Sequence, residues 1–298
     1  MTAPRQVLPG ATYLVTRRCV ERQFLLRPSP LTNAIFQYVL AVAAQRYGVL
    51  VHAYCVLSDH FHAVVTDPHA RLPAFNRYLC SLVGRAINAA IGHKETFWGA
   101  GTTSAVLLLE PCDVVDKSVY TLANPVAAGL VRSGREWPGL WSAPELIGAG
   151  PFTVERPSFF FRKKGRMPER VELELETPPG FAFAEEFRDL VTRGLAEREG
   201  DLTSAAAAAG RRFLGAERAL AQDPMSRAVS EEPSRTLNPR FASRDPAKRL
   251  EAIGRLGEFL RSYRAALGKL RQGVRDVLFP RGTYLLRVAH GVPCEAFG

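Results

Sequence analysis

The chain has 298 residues and a formal net charge of +10, with 39 Lys plus Arg against 29 Asp plus Glu. Its 47% hydrophobic content is ordinary for a globular protein, and no apolar run reaches the roughly 20 residues that a membrane span requires. The start of the chain lacks the pattern of a secretory signal, so we expect a cytoplasmic protein without a membrane partner. The positive charge favours a polyanionic partner, because clustered Lys and Arg release counterions from phosphates.

The first half of the sequence alternates predicted strands and helices. Runs rich in β-branched and aromatic residues predict strands at residues 12–20, 49–59, 60–67 and 103–110, whereas helical spacing of apolar residues predicts helices at 30–48, 71–92 and 111–125. Ser58-Asp59 is the expected turn between the second and third strands, and Asp113 is the expected cap of the last helix. This order predicts an α+β fold, a ferredoxin-like antiparallel sheet with helices on one face and one helix added at the end.

The second half of the sequence has a different character. Residues 137–157 are rich in Pro, Gly and Ser, which places a domain boundary near Gly150. We therefore expect a first domain at 1–150 and a mainly helical extension at 151–298. Periodicity in the extension predicts an edge strand at 170–177, a helix at 184–199, two short helices around Gly210 and a long amphipathic helix from Pro246.

The segment around Gly210 has two interpretations. A helix-turn-helix would direct Arg211, Arg212 and Arg218 towards DNA, and the extension would then be a DNA-binding region. A plain helical hairpin with a solvated basic face explains the same residues, and this simpler interpretation is preferred.

Two histidines, His60 and His62, lie two residues apart in a predicted strand. Residues i and i+2 of a strand point to the same face, so the two imidazoles lie side by side while Phe61 turns to the opposite layer. Such a pair can share one metal ion, but a bare His-x-His pair more often represents two structural histidines, each hydrogen-bonded near a strand end. The remaining histidines have no ligand spacing and are interpreted as structural or surface residues: His52, His69, His93 and His290.

A second motif, SVYTLANPVAAGLV (residues 118–131), favours the metal interpretation. Tyr120 and Asn124 are four residues apart, which stacks them on one face of a helix. Pro125 disfavours helical geometry at Asn124, so the helix is expected to end there and leave the amide directed outward. The phenol and the amide oxygen are thus expected to approach the same place.

The combination of DHFH with YTLANPVAAGLV about sixty residues later resembles the single-tyrosine HUH transposases, in particular the REP-associated tyrosine transposase branch. The resemblance covers residues 11–141. It implies that His60 and His62 bind a divalent metal, that Asn124 supplies a third ligand, and that Tyr120 is the nucleophile. It also favours Mg²⁺ or Mn²⁺, although the ligand types alone would accept zinc as well.

The resemblance implies a metal-dependent endonuclease and strand transferase, a transposase that cuts single-stranded DNA through a 5′-phosphotyrosine at hairpin or palindromic sites. Neutral ligands suit this chemistry, because they leave the charge of the ion available to a scissile phosphate. Lys117, three residues before Tyr120, could stabilise a phenolate, although a solvated lysine is the preferred interpretation.

The alternative is a protein of another class. A ferredoxin-like nucleic-acid binder or repressor could carry a vestigial metal site and act through its second half. The sequence leaves both a monomer and a homodimer open.

Overall fold

The computed structural model describes residues 4–101, 103–228 and 239–297. The four longer strands of its five-stranded main sheet are β1 (Ala11–Arg18), β2 (Leu50–Val56), β3 (His60–Asp67) and β4 (Ser104–Leu108), in the order β2-β3-β1-β4. The three pairings among these four strands are antiparallel, and a short fifth strand pairs in parallel with β4. This is the strand order of a ferredoxin-like domain, and the predicted α+β fold class is confirmed.

Two long helices cover one face of this sheet. Helix α1 (Pro30–Tyr47) begins at the Ser29 cap, and α2 (Leu72–Ile91) ends at Gly92. Phe61 of β3 points to this face, where its ring packs edge-on against that of Phe36 of α1, with the two ring centroids 5.1 Å apart. The main hydrophobic core lies between these helices and the sheet.

Helix α3 (Pro111–Leu122) packs on the opposite face of the sheet and is followed by the single turn α4 (Asn124–Ala127). The prediction that Asp113 caps α3 was wrong by one turn. Glu110 is the cap, and Asp113 accepts a hydrogen bond from the Glu110 backbone N–H at 3.0 Å. The two residues form a capping box in which Asp113 takes the third helical position.

The remaining elements are mostly helical, as predicted. They comprise the hairpin β5 (Phe152–Glu155) and β6 (Arg170–Leu173), the helices α5 (Ala184–Ala208), α6 (Ala216–Leu220), α7 (Pro246–Arg271) and α8 (Leu285–His290), and the short strand β7 (Phe241–Ala242) beside β4. In the part of the chain that the structure describes, each helix is either too short or too polar to span a lipid bilayer.

Two details of the helical region differ from expectation. The chain around Gly210 does not form two short helices, because α5 continues unbroken to Ala208 and only the five-residue α6 follows. The apolar stripe predicted along α7 is only partly covered: Leu260 and Leu267 are half-buried, whereas Leu250 and Ile253 are 68% and 52% exposed. Periodicity identified the helix but could not show how much of its apolar face has a partner.

Residues on both sides of position 150 contribute to the same hydrophobic core. Leu175 forms a parallel bridge with Val51 of β2, and the Glu176 N–H donates to the Val51 carbonyl at 2.9 Å. Phe161 and Val191 are buried in the main core cluster. The boundary near Gly150 stays a prediction about independent folding, which truncation can test.

We expect a fragment ending at Gly150 to lose the cooperative unfolding of the full chain. Its β2 edge would lose the pairing with residues 175–176, and the main core would lose the side chains of β6 and α5. Urea unfolding followed by circular dichroism measures this, and a fragment as stable as the whole chain would establish residues 1–150 as an autonomous domain.

His52 of β2 connects the segment at residues 175–176 to the main sheet. It is fully buried, and its Nδ1 lies 2.7 Å from the Glu176 carbonyl, so that Nδ1–H can donate to this oxygen. Its Nε2 lies 2.7 Å from the Thr66 hydroxyl, which also lies 2.7 Å from the Thr12 hydroxyl. Both ring nitrogens are therefore engaged, which supports the structural interpretation of His52. Burial lowers the pKa of His52 to about 4, although the hydrogen bond to Glu176 opposes this shift.

His52 should make stability depend on pH. Between pH 6.5 and about 4 the unfolded chain binds a proton at this residue and the folded chain does not, so the free energy of unfolding falls as the pH falls. The loss approaches about 3 kcal/mol below both pKa values. Urea titrations of His52→Gln should show a shallower fall across this range than wild type, and the exposed His290→Gln should follow wild type.

Candidate active site

The two histidines of β3 face the same side of the sheet. The register of β1 against β3 pairs Arg18 with His60 and Thr16 with His62, while Phe61 points into the core on the other side. The imidazole centroids of His60 and His62 are 4.9 Å apart, with the rings nearly perpendicular. The side-by-side arrangement expected from strand alternation is therefore present.

His60 is oriented by the residue before it. Its Nδ1 lies 2.6 Å from Oδ1 of Asp59, and the second oxygen of Asp59 lies 3.5 Å from Nε of Arg22. Burial favours the neutral form of Asp59, but the hydrogen bond from His60 and the charges of His60, Arg22 and Arg18 hold the pKa of this carboxyl below its usual value. An ionised Asp59 can only accept, so His60 donates through Nδ1 and directs Nε2 away from the pair.

His62 is oriented by the neighbouring strand. Its Nδ1 lies 2.8 Å from the hydroxyl of Thr16, its partner in the β1–β3 register. Burial, followed by the charges of His60 and Arg18, holds the pKa of His62 well below its usual value. The ring is therefore neutral at pH 7. When Nδ1–H donates to Thr16, Nε2 keeps its lone pair, the form in which imidazole binds a metal ion.

Tyr120 of α3 lies directly beside this pair. Its ring centroid is 5.3 Å from that of His62. The side chain is 45% exposed, so a macromolecular substrate can reach the phenol. Nζ of Lys117, one turn earlier, lies 5.6 Å from the Tyr120 ring. Lys117 therefore lies beside the Tyr120 ring, as its position three residues earlier on the same helix predicted.

Asn124 follows one turn after Tyr120. Helix α3 ends at Leu122, close to the position expected from Pro125, and Asn124 begins the short α4. The expectation that Pro125 would leave this amide directed outward was wrong, because Asn124 is already helical, Pro125 is accommodated in the first turn of α4, and only 7% of Asn124 is exposed. The structure thus brings His60, His62 and Tyr120 together and places Asn124 on the adjoining turn, while the role of Asn124 as a third ligand stays a prediction.

Helix α5 supports α3 behind the tyrosine. A Cβ atom added at Gly194 of α5 would lie 3.0 Å from Cγ2 of Val119, so glycine permits the two helices to approach closely at the residue before Tyr120. Beyond α3, Trp141 Nε1 donates to the Leu122 carbonyl at 2.9 Å. The position of the tyrosine therefore depends on elements from both halves of the chain.

A second cluster of possible metal ligands occurs at the start of α3, where Glu110, Cys112 and Asp113 lie close together. Helix capping already engages its carboxylates, because Glu110 and Asp113 form the capping box. Lys248 pairs with Glu110, and the Arg244 N–H donates to Asp113 at 2.8 Å. These contacts explain the cluster as the junction between α3 and α7 without an ion.

Sequence reasoning missed the residues that orient the histidines. Thr16 reaches His62 only through the pairing of β1 with β3, so no local pattern could reveal it. Asp59 did carry a signal, because a carboxylate directly before a candidate ligand is well placed to bond its second nitrogen. Gly194 gave no signal, because its importance lies in the distance between two helices.

No protein-family model and no curated protein matches the chain. Among solved structures, a REP-associated tyrosine transposase bound to a REP hairpin is similar at 17% identity, covering 57% of this chain and 98% of its own, with a TM-score of 0.42. A "putative transposase" from Deinococcus radiodurans R1 is similar at 18% identity, covering 39% of this chain and 93% of its own, with a TM-score of 0.30. The first of these two proteins carries the name of the branch that the sequence motifs resemble.

Proposed function

We propose that the chain is a metal-dependent endonuclease and strand transferase that cuts single-stranded DNA through a covalent bond to Tyr120. The observation that carries the proposal is the meeting of three side chains from two elements, β3 and α3: the centroid of the His62 ring lies 4.9 Å from that of His60 and 5.3 Å from that of Tyr120. The motif resemblance and the net charge of +10 support DNA, with hairpin or palindromic elements, as the substrate.

The residues present fit a divalent ion. Asp59 and Thr16 engage the Nδ1 atoms of His60 and His62, which leaves both Nε2 atoms for coordination. Asn124 is the proposed third ligand, with Mg²⁺ or Mn²⁺ as the proposed ion. When bound, such an ion polarises a phosphate oxygen and offsets the charge that develops on the scissile phosphate.

The reaction assigned to Tyr120 is an in-line displacement at phosphorus. A bond forms between Oη and phosphorus as the bond to the 3′ oxygen breaks, the phenolic proton passes to solvent, and the departing 3′ oxygen takes up a proton. A phenol with a typical pKa of about 10 serves as both nucleophile and leaving group, so a DNA 3′-hydroxyl can reverse the step and join strands.

The first prediction from this proposal concerns the nucleophile. Tyr120→Phe removes only the hydroxyl from a residue that is 45% exposed, so folding and DNA binding should stay close to wild type. Incubation with labelled single-stranded DNA and Mn²⁺ should give an SDS-resistant adduct with wild type and none with the variant. Cleavage should fall together with the adduct, to the background seen without protein, since the covalent route has lost its attacking atom.

Two outcomes would contradict the proposal. A Phe variant that still cuts at the wild-type rate would identify metal-activated water as the nucleophile. Binding without cutting or adduct in the wild type would favour the nucleic-acid binder or repressor. Tyr263→Phe is a matched control, because Tyr263 is also partly exposed but lies on α7.

The second prediction concerns the orientation of His60. Asp59→Asn keeps the shape of the side chain but removes the charge that fixes Nδ1 as the donor. We expect the Mn²⁺ concentration for half-maximal cleavage to rise about 10- to 100-fold, the usual effect of losing a partner of a metal-bound histidine. Maximal cleavage at saturating Mn²⁺ should recover in large part. The exposed Asp189→Asn is the control, and an unchanged Mn²⁺ dependence in Asp59→Asn would argue against His60 as a ligand.

A further inference from the structure

The connection between β5 and β6 combines aromatic and basic side chains in an unusual way. Residues 158–166 read SFFFRKKGR, with three consecutive phenylalanines, four basic residues and no acidic residue. We call this segment the FFRKK loop. Phe159 and Phe160 are 39% and 40% exposed, whereas Phe161 is only 7% exposed. Two phenyl rings are thus presented to solvent beside a cluster of positive charge.

The loop is held firmly at its base. The ring of Phe161 packs edge-on against that of Tyr38 of α1, with the two centroids 5.1 Å apart. The Tyr38 hydroxyl donates a hydrogen bond of 2.5 Å to the Pro168 carbonyl. Arg156 spans the loop from within, because its guanidinium donates to the carbonyls of Met167 and Lys163 at 2.7 and 3.2 Å. The exposed rings therefore project from an ordered scaffold.

The backbone is strained where the rings project. Phe160 has a φ of +70°, a conformation that residues with a Cβ rarely adopt, and the Phe161 N–H donates to the Phe159 carbonyl at 2.9 Å across this tight turn. Backbone strain and exposed apolar rings both disfavour the folded state. Such costs concentrate at sites that bind a ligand.

The charge of the loop has little local compensation. Arg162, Lys163, Lys164 and Arg166 are all exposed. The nearest ion pair along the hairpin joins Arg170 to Glu155 at 3.5 Å, outside the loop. The loop thus offers four cations and two flat apolar faces within nine residues.

We propose that the FFRKK loop is a second DNA-binding surface, on which the bases of a single strand stack against Phe159 and Phe160 while the four cations contact the phosphates. Stacking on aromatic rings with a positively charged track is the general mode of single-strand binding without sequence preference. Paired bases in a duplex bury their faces against each other, so single strands are favoured over duplex DNA. The proposal rests on DNA as the substrate but not on the chemistry at Tyr120.

The loop and the candidate active site lie on opposite faces of the sheet. Phe161 and Met167 pack on the α1 and α2 side, through Tyr38 and Tyr78, whereas Tyr120 lies with the histidines on the α3 side. The loop therefore does not line the site of cleavage. It binds a part of the strand remote from the scissile phosphate and adds affinity there.

The test uses the full chain and a fluorescently labelled oligothymidylate, which forms no hairpin. Phe159→Ser combined with Phe160→Asn should weaken binding at least about tenfold, since stacking on each ring contributes substantially per base. Asn tolerates the positive φ at position 160, so the turn is retained. Phe183→Ser, which removes a 70% exposed ring outside the loop, should bind as wild type does.

A charge variant tests the phosphate contacts separately. Replacing Arg162, Lys163, Lys164 and Arg166 by Gln should reduce the slope of log affinity against log salt by about 3, at roughly 0.7 per neutralised phosphate. The matched control replaces four exposed cations of the C-terminal region by Gln: Arg261, Arg264, Lys269 and Arg275. An equal fall of the slope in this control would mean that binding follows net charge, and would overturn the proposal.

Two further results would overturn it. In the first, both loop variants bind oligothymidylate with the affinity of wild type. In the second, the loop variants keep their DNA binding but lose binding to anionic phosphatidylserine vesicles, which would assign the loop to membranes. Both loop variants keep Tyr120, so at saturating DNA they should still form the covalent adduct. If the loop proposal fails, wild type still forms the adduct and only the loop variants bind DNA unexpectedly well. If the proposed function fails, wild type itself forms no adduct, so the two failures are distinguishable.

Discussion

The burial of Phe61 is the interaction on which the rest of the site depends. The residue is 1% exposed, and its ring packs between Phe36 of α1 and Trp98, which fixes the face of β3 that enters the core. Side chains alternate along a strand, so His60 and His62 must then point to the other face. A slip of one residue would place both imidazoles in the apolar core, where neither Thr16 nor Asp59 could orient them.

The opposite face of the sheet is assembled from distant parts of the chain. Helix α3 carries the tyrosine, but α5 presses against it through the close approach of Gly194 and Val119. The turn before His60 is held in the same way, because the Ser58 hydroxyl donates to Gln222 at 2.5 Å. The second half of the chain thus acts as a support for the candidate active site, whatever further contacts it makes.

Electrostatics and burial divide the two histidines into different environments. His60 has a carboxylate partner at its ring nitrogen, whereas His62 is buried against a neutral hydroxyl, which supplies no negative charge to balance a protonated ring. The low pKa of His62 follows mainly from that burial. A site built in this way keeps at least one imidazole neutral near pH 7, which is the state needed to coordinate an ion.

The sequence by itself determined the local features. Periodicity identified the four sheet strands and the long helices, and the two-residue spacing placed His60 and His62 on one face, because these depend only on repeats of 2.0 and 3.6 residues. Only the tertiary structure decided that Tyr120 lies against His62, that Thr16 and Asp59 orient the rings, and that residues beyond 150 complete the core. The physical reason is that these contacts join residues far apart in the chain, and their distances follow from strand register and helix packing, which no short sequence pattern encodes.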